Sequence, residues 1–544
     1  MLDIIQKKQG HSITIVRSRN DKLTKLALSK LQDDCLLQGE DPQDRFAKVA
    51  GHFADDSAHA QRIYDYMSQL WFMPATPILT YGGTTRGMPV SCFLNEAQDS
   101  LEDIVSLWNE TVWLASNGGG IGSYWGNIRS VGERVRRNGQ TSGIIPFIRV
   151  MDSLTQAVSP DSKSQGSATI YLDIDHPEIE EFIDIRNLAQ GDQNRKAPNL
   201  HHGVLITNGF MQAVADDKDW PLKSPKDRHI VAKVRARDLW DRLLNARTQT
   251  GQPYIIYKDH VNDQMPDHHK MAGLSIKTSN LCSEITLPTG RDHLGNDRTA
   301  VCCLSSLNFE TYDAWKDHPS FIEDIMRFLD NVLSDFIKKA PDSMRRAKYA
   351  AMRERSVGLG VMGFHAHLQS KMIPLDSAMA KVWNRKIFQQ IKTQADTASR
   401  VLAEERGACP DAADYGIMER FSNKIAVAPT ISTSVICGET SPSIEPFTTN
   451  GHRYQTSAGA FETRNKHLEE LLRQKDQNSD AVWSSIFAQG GSVQHLDMLS
   501  QDEKDVFKTA YEIDARWIIE HAADRAPYIC QSQSLNLFLP RDTQ

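Results

Sequence analysis

The chain has 544 residues, of which 40% are hydrophobic and 24% charged, with 62 lysines and arginines against 69 aspartates and glutamates. This is ordinary globular composition, which excludes the disordered, collagen-like and coiled-coil classes. The formal net charge of −7 provides no chain-wide basic surface, so we expect neither nucleic acid nor a membrane as a partner. The start MLDIIQKKQGHS has no secretory pattern and no window is apolar enough to span a membrane, which predicts a cytoplasmic protein.

Two patterns divide the chain. Residues 1–75 space their apolar side chains by three and four, as in LTKLALSKLQDD, which predicts a small helical N-terminal domain. In residues 76–544, short apolar or β-branched runs alternate with amphipathic helices. This alternation predicts an α/β fold with a largely parallel sheet, and the number of runs favours a barrel. The runs are TPILTYGG, GIIPFIRV, SATIYLDI, HHGVLITN, PYIIYK, SEITLP, TAVCCLSS, NKIAVAP and STSVICGE; the polar stretch 448–500 predicts surface helices and loops.

The segment NLCSE holds the sharpest chemical pattern. On an extended chain Asn280, Cys282 and Glu284 would face the same side, because side chains alternate. A thiol there suits radical or nucleophilic chemistry, with the carboxylate as a general base and the amide as a hydrogen-bond donor. The alternative is the outer face of a surface strand with an incidental cysteine.

Two further thiols lie in strand-like runs, Cys92 in PVSCFL and Cys302 in AVCCLSSLN. If their Cα atoms lay about 5.5–6 Å apart, they could close to a disulfide and deliver two electrons. Buried structural thiols are the alternative, and the sequence alone leaves both open. The eight cysteines form no CxxC pair, so no structural zinc site is expected.

Three other features have less specific interpretations. The glycine-rich run Asn117–Gly122 could bring backbone N–H groups close to a phosphate or ribose, but it lacks the GxGxxG and P-loop patterns. The hydroxyl-rich run Pro429–Ser434 suits a pyrophosphate where a helix begins, with an ordinary helix cap as the alternative. The pairs His201–His202 and His268–His269 have no HExxH context and no evident third ligand, so no metal site is predicted.

Taken in this order, the segments resemble the catalytic large (α) subunit of ribonucleotide reductases, the radical enzymes that make deoxynucleotides. The resemblance covers nearly everything after residue 72, and NLCSE in series with the two partner cysteines is its most specific part. The matching segments are MPATPILT, SCFL, SNGGGIGSYWGNIRS, NGQTSGIIPF, GSATIYLDIDHPEIEEFIDIR, NLHHGV, PYIIYKDHVN, SNLCSEITLP, AVCCLSSLN, RERSVGLGVMGFHAHL, APTISTSVICGETSPSIEP and YICQSQSLNLFLP.

The resemblance implies a ten-stranded α/β barrel of two antiparallel halves, with a finger loop that carries a radical cysteine. It implies that Cys282 is the thiyl-radical residue that takes the ribose 3′-hydrogen. Glu284 would accept the 3′-hydroxyl proton and Asn280 would hold the 2′ and 3′ oxygens. Cys92 and Cys302 would be the pair that reduces the 2′-carbon.

The resemblance also implies two nucleotide sites, one for a ribonucleoside diphosphate with magnesium and one for a dNTP or ATP effector at the specificity site of a homodimer. The implied substrate residues are Thr76, Ser91, Gly119, Gly120, Thr430, Ser432 and Thr433, of which the last three would grip the diphosphate. The implied effector residues are Asp99 and Arg129.

The implied partners are a metal-containing, radical-generating small (β) subunit and thioredoxin or glutaredoxin as reductant.

Three departures from the family pattern stand out. The N-terminal segment is too short for a complete ATP-cone, and the loop SPDSKSQ at 159–165 lacks the usual glycines and arginine. The chain stops at LNLFLPRDTQ, before the last barrel strand, the Tyr-Tyr relay and the cysteine-bearing tail. We therefore expect the larger piece of a split class I α subunit, completed by a separate C-terminal α fragment.

Three alternatives remain open at this point. An adenosylcobalamin-dependent reductase would need no Tyr-Tyr relay. A non-catalytic, α-like protein would bind nucleotides without turnover. A nicotinamide dehydrogenase, suggested by the glycine run, is the most distant of the three.

Overall fold

The structure is a computed structural model that describes residues 4–8, 10–135, 139–158, 167–189, 191–456 and 459–539. Short 3₁₀ helices lie at Arg17–Lys22, Gln193–Arg195, Phe309–Thr311, Asp342–Met344 and Ala526–Tyr528. The strands are β1 Ile4–Lys8, β2 His11–Ile15, β3 Phe72–Pro74, β4 Cys92–Glu96, β5 Gly120–Tyr124, β6 Arg134–Val135, β7 Gly139–Gln140, β8 Ala168–Asp173, β9 His201–Ile206, β10 Asp219–Lys223, β11 Ile230–Arg235, β12 Tyr254–Tyr257, β13 Gly290–Arg291, β14 Asp297–Arg298, β15 Ala300–Asn308, β16 Val357–Met362, β17 Gly451–Thr456 and β18 Gly459–Arg464. The α-helices are α1 Lys25–Asp34, α2 Pro42–His52, α3 Ser57–Ser68, α4 Thr76–Tyr81, α5 Leu101–Ser116, α6 Ile145–Ala157, α7 Ile179–Ile183, α8 Asn208–Ala215, α9 Ala236–Thr250, α10 Lys258–Asp263, α11 Asp267–Met271, α12 Tyr312–Trp315, α13 Phe321–Lys339, α14 Arg345–Glu354, α15 Phe364–Ser370, α16 Ala378–Arg406, α17 Pro410–Ala413, α18 Ile431–Ile436, α19 Lys466–Gln474, α20 Asp480–Ala488, α21 Gln501–Val506 and α22 Ala515–Arg525.

The largest sheet in the described part of the chain has the order β12-β9-β8-β5-β4-β15-β16, and β3 pairs with the C-terminal half of β15. From β4 to β12, neighbouring strands are parallel. Their sequences are nearly continuous apolar runs, as expected for strands covered on both faces. In β9, for example, every residue from His202 to Ile206 is buried.

The strand direction reverses at β15, which pairs antiparallel with both β4 and β3. The second half continues in parallel from β15 to β16, and two isolated parallel bridges extend it, from Leu359 to Ile425 and from Val427 to Gln533. Among the described residues, one half therefore has five strands, β4, β5, β8, β9 and β12. The other half has β15 and β16, followed by the bridged segments around Ile425–Val427 and Gln533. This arrangement confirms the predicted α/β barrel of two antiparallel halves.

Amphipathic helices cover the outside of the barrel. In α13, the buried residues Phe321, Ile325, Phe328, Val332 and Phe336 recur at three- and four-residue spacing. This stripe packs against β15, β16 and the long helix α16. No helix within the described ranges is both long and apolar enough to cross a bilayer.

The N-terminal segment is only partly helical. Helices α1, α2 and α3 agree with the prediction for residues 1–75, but β1 and β2 form an antiparallel hairpin before them. In β2 the buried residues are Ile13 and Ile15, a period of two that a helical interpretation overlooks. The boundary at residues 75 and 76 stays a prediction.

Several predicted strand runs are not strands. TPILTYGG forms α4, GIIPFIRV enters α6 and STSVICGE contains α18. Pro77 and Pro146 lie in the first turn of α4 and α6, where a proline needs no N–H and already has helical φ. SEITLP is a loop and NKIAVAP makes only isolated bridges. Periodicity does not separate a short buried strand from a short buried helix, which explains these errors.

Two further expectations concern irregular segments. The polar stretch 448–500 contains the predicted helices, as α19 and α20, but it also contains the β17–β18 hairpin. The loop SPDSKSQ at 159–165 lies outside the described residues, so its effect on effector specificity stays a prediction.

Candidate active site

A loop of residues 277–289, here called the finger loop, runs through the interior of the barrel. It contacts strands of both halves: Tyr171 of β8 on one side, and Ser532, whose backbone N–H donates to the Glu284 carbonyl oxygen at 3.0 Å, on the other. Asn280 and Glu284 are buried. A loop held from both halves lies where a barrel excludes water.

Two glycines of β5 make room for this loop. A Cβ atom added at Gly122 would lie 1.6 Å from the Ser279 carbonyl oxygen, and one added at Gly120 would lie 3.2 Å from the Leu281 side chain. The glycine-rich run therefore allows the finger loop to approach closely. At Gly120 and Gly122 the absence of a side chain is explained by this contact and not by a bound phosphate.

The tip of the finger loop is a turn, which corrects the expectation of an extended chain. Ser283 has a φ of +69°, and the Asn280 side-chain oxygen accepts a hydrogen bond from the Ile285 backbone N–H at 3.1 Å. The Ser279 hydroxyl closes the turn by donating to the Ile285 carbonyl at 2.7 Å. Asn280 therefore stabilises the turn that carries Cys282, a role that alternation along a strand would not produce.

Cys92 and Cys302 face each other directly in the antiparallel pairing of β4 with β15. Directly opposed Cα atoms in such a ladder lie about 4.5–5.5 Å apart, within the range that a disulfide bridges. Both thiols are free. The Asn280 side-chain amide donates to the Cys92 sulfur at 3.6 Å, which joins the pair to the finger loop.

The three thiols share one electrostatic environment with Glu284. Burial and, after it, the Glu284 carboxylate raise the pKa of Cys92 to about 12, partly offset by hydrogen bonds from Asn280 and Ser91. The pKa values of Cys282 and Cys302 are also raised, by burial first and then by Glu284 and Cys92. All three groups therefore remain thiols at neutral pH, which suits hydrogen-atom and proton transfer better than nucleophilic attack by a thiolate.

Glu284 is the carboxylate of the site. Burial raises its pKa to about 7, partly offset by hydrogen bonds from its own backbone N–H and from Asn280. Its Oε2 atom is buried and has no hydrogen-bond partner. A buried carboxylate oxygen without a partner is costly, so this atom is available to a group that enters the site.

A cleft of about 780 Å³ opens beside the finger loop. Its walls combine the N-terminal segment around Cys35 with α4, the residues just before β4 and the glycine-rich run. The substrate residues predicted by resemblance that line it are Thr76, Ser91, Gly119 and Gly120. Leu281, next to Cys282, lines it as well, so the cleft reaches the finger-loop tip.

The predicted diphosphate residues are not on the walls of this cleft. The Thr430 hydroxyl accepts a hydrogen bond from the Ser443 backbone N–H at 2.7 Å, and the Thr433 hydroxyl donates to the Thr430 carbonyl at 3.4 Å. Thr430 is the N-cap residue of α18, but its side chain makes no capping hydrogen bond, so the expected alternative of an ordinary helix cap is wrong. The two hydroxyls instead bond within and next to the turn that precedes the helix. Ser432 is half-buried.

Asp99 and Arg129, the predicted effector residues, form an ion pair. The Arg129 guanidinium donates to both carboxylate oxygens of Asp99, with Nη2–Oδ2 at 2.7 Å and Nε–Oδ1 at 3.0 Å. They follow β4 and β5, two parallel neighbours whose carboxyl ends meet at one edge of the sheet. The Asp99 carboxylate and the Arg129 guanidinium therefore provide each other with hydrogen bonds and a neutralising charge.

Several residues of the site were not found by sequence reasoning. Thr169 and Tyr171 of β8 donate hydrogen bonds to the finger-loop backbone, and Gln531 packs close to Cys302. The sequence did contain a signal for Thr169 and Tyr171. They are two residues apart in the run SATIYLDI, and residues i and i+2 of a strand share a face, so both hydroxyls could be predicted to point to one side.

The histidine pairs have protein partners. His202 bonds the Ile183 carbonyl at 3.0 Å, and His269 bonds Asp411 at 3.2 Å. Across the part of the chain that the structure describes, no cluster of three His, Cys, Asp or Glu side chains has the arrangement of a metal site.

Comparison with known families identifies the architecture. The model for the ribonucleotide reductase barrel domain matches residues 90–416 and 411–544, and the model for the ribonucleotide reductase all-alpha domain matches residues 21–87. Among solved structures, the Actinobacillus ureae class Id ribonucleotide reductase alpha subunit superposes with a TM-score of 0.82 at 33% identity, covering 94% of this chain and 91% of that one.

Relatives are also found by sequence. The chain is 39% identical to the ribonucleoside-diphosphate reductase large subunit of Invertebrate iridescent virus 3, over 97% of this chain and 91% of that protein. It is 40% identical to the putative ribonucleoside-diphosphate reductase large subunit of Frog virus 3, over 88% of this chain and 83% of that protein. The matched domains and the thiol-lined barrel agree: this chain belongs to the ribonucleotide reductase large-subunit family.

Proposed function

We propose that the chain reduces ribonucleoside diphosphates to deoxyribonucleoside diphosphates, with Cys282 as the thiyl-radical residue. Its place at the tip of the finger loop, half-buried inside a barrel, supports this role, because a thiyl radical has to be kept from water and stray reductants. The same location is hard to reconcile with an incidental surface cysteine.

The reaction then balances over five residues. The Cys282 radical takes the 3′-hydrogen, while Glu284 accepts the 3′-hydroxyl proton and Asn280 orients the ribose oxygens. A thiol of the pair protonates the 2′-hydroxyl, which leaves as water. The second thiol delivers its hydrogen to the 2′-carbon as Cys92 and Cys302 close to a disulfide, so the pair supplies two electrons and two protons in total. Glu284 then returns its proton to the 3′-oxygen, and Cys282 returns its hydrogen to the 3′-carbon as the radical is regenerated.

The observation that carries this proposal is the unpartnered Oε2 atom of Glu284 beside the facing thiols. A pKa of about 7 places this group where it can accept a proton in the reaction and release it afterwards at neutral pH. A ribose hydroxyl would supply the missing hydrogen bond.

We assign the cleft of about 780 Å³ to the substrate, with magnesium accompanying its diphosphate. Thr76, Ser91, Gly119 and Gly120 support this because they line the cleft together with Leu281 of the finger loop. The diphosphate role of Thr430, Ser432 and Thr433 stays a proposal by resemblance alone, and it requires at least one hydroxyl to leave its present hydrogen bond.

We place a dNTP or ATP effector at Asp99 and Arg129, near the interface of a homodimer. The exposed apolar side chains of α5 beside this pair support an interface there: Leu101 is 65% exposed, Val105 49% and Trp113 46%. An effector phosphate would compete with Asp99 for the Arg129 guanidinium.

We propose that the radical originates in a metal-containing small subunit, as in class I enzymes. The likeness to a class Id alpha subunit supports this over adenosylcobalamin. The regenerating reductant would be a thioredoxin or glutaredoxin. Because Cys92 and Cys302 must return to the dithiol state, the cytoplasm is the compartment that suits the cycle.

A second polypeptide is proposed to complete the barrel. Strand β12 pairs only with β9 among the described strands, and a groove of about 590 Å³ separates it from residues 531–537. The groove is lined mainly by apolar side chains of β12, of α22 and of residues 529–537, and Ser283 of the finger loop also lines it. Unpaired strand edges next to a radical site would admit water, and an extended segment laid between them would pair both edges.

We therefore propose that a separately encoded C-terminal α fragment lays one strand in this groove, bearing the Tyr-Tyr relay and followed by the cysteine tail. The test is co-expression of residues 1–544 with such a fragment, followed by assay with a class I small subunit. Turnover is expected only when both pieces are present. Full small-subunit-dependent activity of residues 1–544 alone would contradict the split, and turnover with adenosylcobalamin and no small subunit would contradict the class I assignment.

A further inference from the structure

The two peptide carbonyls that precede Cys282 each receive a hydrogen bond from a hydroxyl of β8. The Tyr171 phenol donates to the Asn280 carbonyl at 2.7 Å, and the Thr169 hydroxyl donates to the Leu281 carbonyl at 3.1 Å. The Tyr171–Asn280 bond is buried, so the Asn280 carbonyl has little access to water and needs such a donor, while the bond to the Leu281 carbonyl is partly buried.

The two donors are themselves held rigidly. Thr169 and Tyr171 point to the same face of β8, because they are two residues apart on a strand that is paired on both sides. The Tyr171 ring lies over Gly203 of β9, where an added Cβ atom would come within 2.5 Å of it. Burial raises the pKa of Tyr171 well above 10, so its hydroxyl remains a donor throughout the working pH range.

We propose that Tyr171 and Thr169 are positioning residues that set where the tip of the finger loop stops, and thereby where the Cys282 sulfur lies. The inference rests on the proposed radical role of Cys282. Gly122 permits the close approach of the loop, and the two hydroxyls fix its depth. Neither hydroxyl is assigned contact with the substrate. Misplacing a reacting atom by about 1 Å costs on the order of 100-fold in rate, so a small shift of the tip is enough to matter.

The test is Tyr171→Phe, with Tyr64→Phe as a matched control. Tyr64 is also buried and hydrogen-bonded, donating to Gln43 at 2.9 Å and accepting from the Val16 backbone N–H at 2.9 Å, but it lies in the N-terminal segment. In the complex that turns over, we expect Tyr171→Phe to lower kcat by about 10- to 100-fold with KM nearly unchanged. The control should retain the wild-type kcat at a similar loss of thermal stability.

A second readout does not depend on activity. The rate of Cys282 alkylation by iodoacetamide, followed by peptide mass spectrometry, should rise at least about fivefold in Tyr171→Phe and stay unchanged in Tyr64→Phe, since a loosened tip opens more often. If Tyr171→Phe does not fold, Thr169→Val is judged by the same criteria.

Wild-type kcat or wild-type alkylation of Cys282 in a folded variant would overturn the inference. Absence of turnover in the assembled wild-type complex would instead contradict the proposed function, and the alkylation rates would then decide the positioning role alone.

Discussion

The buried carboxyl of Glu284 offers the sharpest quantitative test of the site. Burial raises its pKa to about 7 from an ordinary value of 4.5, and its Oε2 atom has no partner. Glu284→Gln keeps the size of the side chain and removes the ionisable group. We expect the variant to lose nucleotide reduction, and to become more stable relative to wild type as the pH rises.

Proton linkage determines the direction of this change in relative stability with pH. Below pH 4.5 the carboxyl is neutral in both the folded and unfolded states, so its ionisation costs nothing. Between 4.5 and about 7 only the unfolded state releases the proton, and above 7 the full penalty for burying the charge applies. The difference between the two pKa values corresponds to about 3 kcal/mol of the free energy of unfolding, at about 1.4 kcal/mol per pH unit.

The assay is denaturant unfolding of both proteins at pH 5 and pH 8. The stability of Glu284→Gln relative to wild type should rise by about 2–3 kcal/mol between these pH values, because the pH-independent cost of the new amide cancels. In parallel, wild-type kcat/KM should increase through pH 7 as the base loses its proton. A stability difference that does not change with pH would refute the assignment of a buried carboxyl with a raised pKa.

Three further substitutions test the remaining parts of the site. Cys282→Ser should abolish reduction while substrate and effector bind within a few-fold of wild type by equilibrium dialysis, and retained turnover would exclude the radical role. Cys92→Ser should lose product yet still permit decay of the substrate, detected as released base, because 3′-hydrogen abstraction precedes the step that needs the pair; an intact substrate after incubation would argue against that order. Gly122→Ala should lower kcat by at least about 100-fold, because its Cβ atom meets the Ser279 carbonyl at 1.6 Å, whereas Gly209→Ala in α8, with its nearest neighbour at 3.9 Å, should leave kcat unchanged in the same assay.

The proposed chemistry of the site could be predicted from the sequence because the unusual residues are close together in it. Asn280, Cys282 and Glu284 lie within five positions, so an amide, a thiol and a carboxylate are close together in any conformation. The α/β class was readable for a similar reason, since long apolar runs such as that of β9 alternate with helical stripes such as that of α13. The local sequence pattern was enough to predict both the α/β class and the grouping of an amide, a thiol and a carboxylate.

Tertiary structure decided everything that depends on which distant segments meet. The facing of Cys92 and Cys302 is a consequence of the antiparallel pairing of β4 with β15, which no local pattern encodes. The need for glycine at Gly122 appears only when the Ser279 backbone passes over it. The run STSVICGE contains the helix α18, with Thr433, Ser434 and Ile436 buried, and local periodicity did not distinguish this short helix from a strand.

The same division applies to the electrostatics of the site. The sequence predicted Glu284 as a general base, but its raised pKa and its unpartnered oxygen arise from the barrel that encloses it. A residue type determines which reaction is available, because that depends on covalent structure. The fold determines whether the group is in the right protonation state and position, because desolvation and contact depend on segments that are far apart in the chain.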